Sequence, residues 1–171
     1  AQATHVSERE ILRLVRKYGR DQVIQGMDEV QDYVERAVRQ RIAALPDGTW
    51  ESVDYIDRDP SGGEGMIPIH IKMTITGDEI HYDFEGSHPT IGSMYNSAPG
   101  ATFSAVVAGM KTFFPDLPLN SGFYRMLTVE APENSVVSAQ WPVAVTGLLM
   151  PFEKIIHYVF EIGSTSRREM E

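Results

Sequence analysis

Apolar residues in the first quarter of the chain recur at helical spacing. Ile11, Leu12, Leu14, Val15 and Tyr18 fall on one face of a helix, and Ser7-Glu8-Arg9-Glu10 in front of them has the form of a capping box. Gly19 is suited to end that helix. Asp21 is placed to cap a second, longer one, whose apolar positions Met27, Val30, Val34, Ala37, Val38, Ile42 and Leu45 follow a 3.6-residue period. Pro46-Asp47-Gly48 stops it in a turn. The spacing therefore predicts a helical pair over residues 1–47.

The period then changes to two. Residues 50–56 are β-prone. Ile67, Ile69, Ile71, Met73 and Ile75 alternate with Pro68, His70, Lys72 and Thr74, and Ile80, Tyr82 and Phe84 alternate with His81, Asp83 and Glu85. Gly77-Asp78 between the two runs suits a two-residue type II′ turn. That register sets Ile75 against Ile80, Met73 against Tyr82, Ile71 against Phe84, Lys72 against Asp83 and His70 against Glu85. A slip of one residue would undo the apolar and the charged matches together. Residues 86–100, GSHPTIGSMYNSAPG, are long for a passive connection. Asn96 or Ser97 is placed to cap the next helix, with Pro99 in its first turn. That helix carries Val106, Val107, Met110, Phe113 and Phe114, while Ala101, Ala105, Ala108 and Gly109 permit close packing. A turn-rich stretch at 115–122 leads to a strand at 124–129, an extended segment at 132–142, and a helix over 143–162 interrupted near Pro151. The class is α+β: an N-terminal helical pair followed by an antiparallel β-hairpin sheet packed with further helices. The division falls into residues 1–47 and 48–171, as one continuous piece of a larger chain.

Composition narrows the function. At 171 residues and 42% hydrophobic content, the chain suits one soluble domain or a piece of a larger one. It has no cysteine, which excludes disulfides, thiol catalysis and thiolate zinc sites. A net charge of −9 disfavours nucleic acid as a partner. The basic residues of 13–20 and 36–41 interleave with acids, as solvated helix faces do. No apolar run reaches the ~18 residues of a membrane span, and residues 1–10 show no signal-peptide core. The expectation is a cytoplasmic protein. Without an initiator methionine, the chain reads as an internal fragment.

Candidate chemistry is sparse. His70 and His81, with Asp83 and Glu85 beside them, compose a donor set that zinc or manganese accepts, and equally the cross-strand polar pairs of an exposed sheet face, the commoner arrangement. The acidic loop with Asp57, Asp59 and Glu64 lacks the spacing and closing Glu of a calcium-binding EF-hand. There is no Gly-x-Ser-x-Gly elbow, and Ser87 beside His88 does not make a triad. No phosphate-loop or dinucleotide motif occurs. The 86–100 loop precedes a helix, so its amides can hold an anion, though a plain loop and cap is the commoner case. His88, Asn96 and Asn120 can orient a substrate amide or carboxylate; asparagines also cap helices and brace turns.

Short motifs in a fixed order add a resemblance. Asp83, Phe84, Gly86, Ser87 and Pro89 lead; Gly92 and Asn96, then Pro118, Asn120 and Gly122, then Pro142 and Val145 follow. Upstream, Ala1-Gln2, Tyr18-Gly19 and Leu45-Pro46-Asp47-Gly48 fit the same pattern. Over nearly its whole length the chain resembles the hydantoinase B family, which includes 5-oxoprolinase, caprolactamase and acetone carboxylase subunits. The resemblance implies a fragment of a B-type subunit of an ATP-dependent enzyme that opens cyclic amides such as N-methylhydantoin or carboxylates ketones such as acetone. It implies an A-type partner that binds ATP and phosphorylates the substrate, and a divalent metal held by a His-x-x-Asp segment and a later His. No His-x-x-Asp occurs here, so no metal or ATP site is expected in this piece, and no activity from it alone. Thr90 stands where the family often has Gln, and the wording around Ser87-His88-Pro89 leans to the acetone-carboxylase branch. The resemblance places the 86–100 loop and Asn120 near the substrate pocket or a neighbouring subunit, with His88, Asn96 and Asn120 as substrate-binding candidates. The competing expectation is a structural module that docks the ATP-binding partner and the remainder of its own subunit, with cut apolar surfaces that promote association between copies.

Overall fold

A computed structural model describes residues 2–59, 62, 65–147 and 149–168, without side-chain detail for residues 2 and 166–168. Helices α1 (Gln2–Tyr18) and α2 (Arg20–Ile42) meet at Gly19. Strands β1 (Gly48–Ile56), β2 (Ile67–Thr76) and β3 (Glu79–Asp83) follow, then helix α3 (Pro99–Lys111), a 3-10 turn (Ser121–Tyr124), strand β4 (Leu127–Glu130) and helix α4 (Leu149–Arg168). The class is α+β as the pattern predicts.

The sheet order is β1-β2-β3-β4. The β2–β3 register matches the predicted one: Ile75 faces Ile80, Met73 faces Tyr82 and Lys72 faces Asp83. Gly77 turns at φ 60, as the first position of a II′ turn requires. The ladder ends at Lys72–Asp83, so the expected Ile71–Phe84 and His70–Glu85 pairings lie beyond it; on the other edge of β2, His70 pairs Val53 of β1. β4 joins β3 in parallel, through the α3 crossover, which makes the sheet mixed.

Alternation along β2 sorts its residues between two environments. Ile67, Ile69, Ile71, Met73 and Ile75 are buried, whereas the residues between them are half-buried. The inward set packs with Val34, Val38 and Ile42 of α2, Val106 and Met110 of α3, and Ile155, Val159 and Ile162 of α4 in one core. Each such burial contributes about 1.5–3 kcal/mol. The second half of α2 thus shares its core with residues 48–168. Helices α3 and α4 touch closely at Gly109, where a Cβ would sit 2.7 Å from the Val159 Cβ.

Several predicted element ends move. Helix α1 starts at Gln2, five residues before the expected cap; Ser7 lies inside it, with its hydroxyl donating to the Ala3 carbonyl, a back-bond that competes with capping. Gly19 both stops α1, with its N–H on the Val15 carbonyl, and precedes α2 at φ 83; Asp21 falls in the first turn of α2 rather than at its cap. Ala98, not Asn96 or Ser97, caps α3: the Asn96 amide is spent on loop carbonyls, and the Ser97 hydroxyl hydrogen-bonds with the Thr102 hydroxyl of the helix; Pro99 opens the helix as expected. The strand expected at 124–129 divides into the 3-10 turn and β4. Pro151 lies in the first turn of α4, where its missing N–H costs nothing, so it opens that helix rather than interrupting it. Glu64 of the acidic loop lies outside the described residues.

Candidate functional site

Because β3 and β4 are parallel, the segments that follow them leave from the same edge of the sheet, the carboxyl end. That is where ligand sites of parallel strands form. The two segments are laced together. The Thr90 N–H donates to the Asn134 carbonyl, Val136 N–H to His88, Ser97 N–H to Val136, Ala139 N–H to Ser97, and Gly147 N–H to Met94. Helices α3 and α4 both begin from this lacing, so two helix amino ends adjoin it.

Asn96 is the knot. It is fully buried. Its Oδ1 accepts from the Ile91 N–H at 3.0 Å, and its Nδ2 faces the carbonyls of Ile91, Ser93 and Ala144 at 3.1, 2.8 and 3.1 Å. Every polar atom of the side chain is engaged, and one bond spans the two segments. Thr102 adds a second tie, donating to the Val137 carbonyl. Ser87 fixes the start of the loop by accepting from the His70 N–H and donating to the His70 carbonyl. Gly86 follows the strand at φ 88, where a Cβ would press on the His70 ring at 3.4 Å.

His88 is half-buried at the lacing, its Nδ1 2.7 Å from the Pro89 carbonyl. A carbonyl only accepts, so the contact requires Nδ1–H and leaves the Nε2 lone pair free to accept a proton or hydrogen bond. His88 and Asn96 thus lie on the same laced segment. Asn120 does not join them. It precedes the amino end of β4, where its side chain accepts from the Gly122 N–H at 2.9 Å and caps the 3-10 turn. That turn packs on α2, with Gly122 against the Gln31 carbonyl.

The histidine pair considered for a metal separates. His81 faces Thr74, four positions along β2 from His70, a separation of about 13 Å. His81 Nε2 lies 3.2 Å from the Glu130 carboxylate, and Asp83 pairs Lys72 at 2.9 Å. Burial alone would raise the Asp83 carboxyl; the hydrogen bonds from Lys72 and the Glu85 N–H outweigh it and hold the group below the usual carboxylate range. Among the described residues, no three His, Asp or Glu side chains gather to hold a metal ion. The described residues do not fit the divalent metal that the resemblance implies. Among them, too, no helix is long and apolar enough to cross a membrane.

A further feature is legible in the sequence. In a chain with 23% charged residues, neither 86–110 nor 134–152 contains an Asp, Glu, Lys or Arg. These are the two segments the structure laces together. Their surface exposes Met94 at 46% and Trp141 at 95%. Depletion of charge with exposed aromatic and Met side chains is the composition of a contact face.

Comparison with known proteins identifies the family and the fold. The family model described as Hydantoinase B/oxoprolinase matches residues 1–168. The chain is 32% identical over 142 residues to caprolactamase subunit beta of Pseudomonas jessenii, covering 82% of this chain and 24% of that one. It superposes on the crystal structure of the ATP-dependent caprolactamase from the same organism with a TM-score of 0.87 and 28% identity, over 96% of this chain and 29% of that one. An acetone carboxylase nucleotide-free structure shares the fold at a TM-score of 0.74 and 21% identity, over 84% of this chain and 21% of that one. The chain thus spans about a quarter of the length of the curated relatives it matches first. The chain belongs to the hydantoinase B/oxoprolinase family.

Proposed function

We propose that the complete polypeptide is the B-type subunit of an ATP-dependent enzyme that opens a cyclic amide, and that the laced loops form one wall of its substrate pocket. The observation that carries this reading is the charge-free lacing at the carboxyl ends of β3 and β4, with His88 on it, in a chain 32% identical to a caprolactamase subunit. A neutral pocket wall suits a neutral lactam or hydantoin ring. In this reading the 86–98 segment faces substrate, His88 Nε2 accepts from the substrate N–H, and Asn96 positions the loop. Asn120 holds the 3-10 turn on α2. ATP binding belongs to an A-type partner in the cytoplasm, and the divalent metal to parts of the B-type subunit beyond this chain. Ketone carboxylation is disfavoured relative to amide opening, since the carboxylase likeness rests on the fold alone.

The test is ATP consumption and ring opening by the full-length protein with its A-type partner, using caprolactam, 5-oxoproline, N-methylhydantoin, and acetone with bicarbonate. Amide-dependent ADP release that His88→Ala reduces at least tenfold, with the complex intact, supports the reading. Turnover only with acetone and bicarbonate, or an unaffected His88→Ala enzyme, overturns it.

A second reading has its own observation. Helix α1 packs chiefly on α2, and Ile11, Leu12, Leu14 and Tyr18 of α1 with Ile24, Met27, Val30 and Tyr33 of α2 remain 38–57% exposed. We propose that this arm docks the ATP-binding partner. Leu14→Glu with Met27→Glu then abolishes complex formation while the isolated subunit keeps its helical content; an intact complex rejects the docking role.

A further inference from the structure

At the amino end of α3 a cleft of about 380 Å³ opens between the helix and the segment after β4. Pro99, Gly100, Thr102 and Ser138 line it, with Phe103, Val129, Ala131 and Val137 as an apolar floor. The cap residue is Ala98, which offers no side-chain acceptor to the first turn. Ala101 and Thr102 N–H groups turn back to the Ala98 carbonyl, while the Gly100 N–H has no partner among the described residues. Gly100 itself is exposed, and a Cβ there would meet nothing within 4 Å.

Ser138 provides an independent sign. It is 5% exposed, it lines the cleft, and its hydroxyl has no hydrogen-bond partner among the described residues. It differs from its neighbour Ser135, whose Oγ is fully enclosed; the Ser138 Oγ retains contact with solvent. The described residues supply this nearly buried hydroxyl with no partner, and its open side is the cleft, where water or a ligand completes it. The Thr102 hydroxyl commits its hydrogen to the Val137 carbonyl, so it has none to donate to Ser138.

We propose that this cleft binds a carboxylate bearing a short alkyl chain, its oxygens on the Gly100 N–H and Ser138 hydroxyl and its chain on the floor of Phe103, Val129 and Val137. The amino end of a 13-residue helix adds about half a positive charge. No Lys, Arg or His lines the cleft, so the donors match a monoanion and are too few for a phosphate dianion. A hydrolysed lactam carries such an alkyl carboxylate, so the choice of ligand, though not the site, rests on the proposed amide-opening reaction.

The experiment reads binding to this chain without turnover, which separates its failure from failure of the proposed reaction. Sodium hexanoate is titrated into the ¹⁵N-labelled chain, with inorganic phosphate and hexanol as comparison probes. The expected result is a saturable shift of the Gly100, Ala101 and Ser138 amides with hexanoate, weaker by tenfold or more with either other probe. Ser138→Ala is expected to fold as the parent does, because its hydroxyl has no partner to lose, and to bind hexanoate about tenfold more weakly. Gly100→Pro, which deletes the free N–H at a helix start that tolerates proline, is the second variant and gives the same loss. No saturable shift, equal affinity for phosphate or hexanol, or unchanged hexanoate affinity in both variants overturns the proposal.

Discussion

Replacing Asn96 with alanine tests whether one side chain holds the two loops together. Its Oδ1 accepts one bond and its two Nδ2 hydrogens are shared among three carbonyls, so the substitution removes about three effective hydrogen bonds. Each contributes about 1 kcal/mol net, and a buried group left without its partner costs about 1–3 kcal/mol. The Ile91 N–H is one such group. The sum is a loss of about 3 kcal/mol, a fall in Tm of roughly 6–12 °C for a domain of this size. Asn96→Asp should be worse than alanine, because a carboxylate oxygen would face three carbonyl oxygens in a buried site. The assay is urea unfolding with amide hydrogen exchange at Ile91 and Gly147. Faster exchange at both, from a residue in contact with only one of those segments' amides, is the signature of the tie to Ala144. A loss under about 1 kcal/mol, or alanine worse than aspartate, would refute the reasoning.

Three further outcomes follow from the same packing. Gly122→Ala places a Cβ onto the Gln31 carbonyl, so the 3-10 turn must lift off α2; unfolding free energy should fall by 2 kcal/mol or more, on the order of an overpacked core site, by urea titration. Gly109→Ala should separate α3 from α4 and cost about 1–3 kcal/mol, with Val159→Ala partly restoring it. Burial alone would raise the Asp54 carboxyl, but hydrogen bonds from Lys154, the Tyr55 N–H and Tyr158 hold it below the usual range, while Tyr158 is pushed up to about 12 by burial and by Asp54. A carboxyl depressed in the fold adds stability that is fully present above its unfolded value of about 4 and is lost as pH falls through its folded value. Asp54→Asn should therefore flatten part of the acid limb of stability below pH 4, measured as the urea midpoint between pH 6 and 3; an identical limb would show that the Lys154 pairing contributes nothing.

Alternation at Ile67–Thr76 and the Gly77-Asp78 turn settled the β2–β3 register from sequence, because a half-buried strand admits only one phase and a two-residue turn only one offset. The helical period likewise announced α2, and the ordered motifs from Asp83 to Val145 announced the family. Helix starts were less legible. A polar side chain near an apolar run can cap, as the positions of Ser7, Asn96 and Ser97 allow, or bond elsewhere, and the choice depends on neighbours that the local pattern does not show. Residue Ala144, 48 positions after Asn96, decided that Asn96 would bind loops together rather than cap α3. The separation of His70 from His81 depended on which residues of β2 and β3 pair, and the exclusion of Asn120 from the site on which end of β4 it precedes. Only the parallel pairing of β3 with β4 set residues 86–98 and 134–147 at one edge of the sheet, with Gly100 and Ser138 across a cleft. Local sequence encodes propensity and phase over a few residues; the meeting of two segments about forty residues apart is decided by the burial of the core between them.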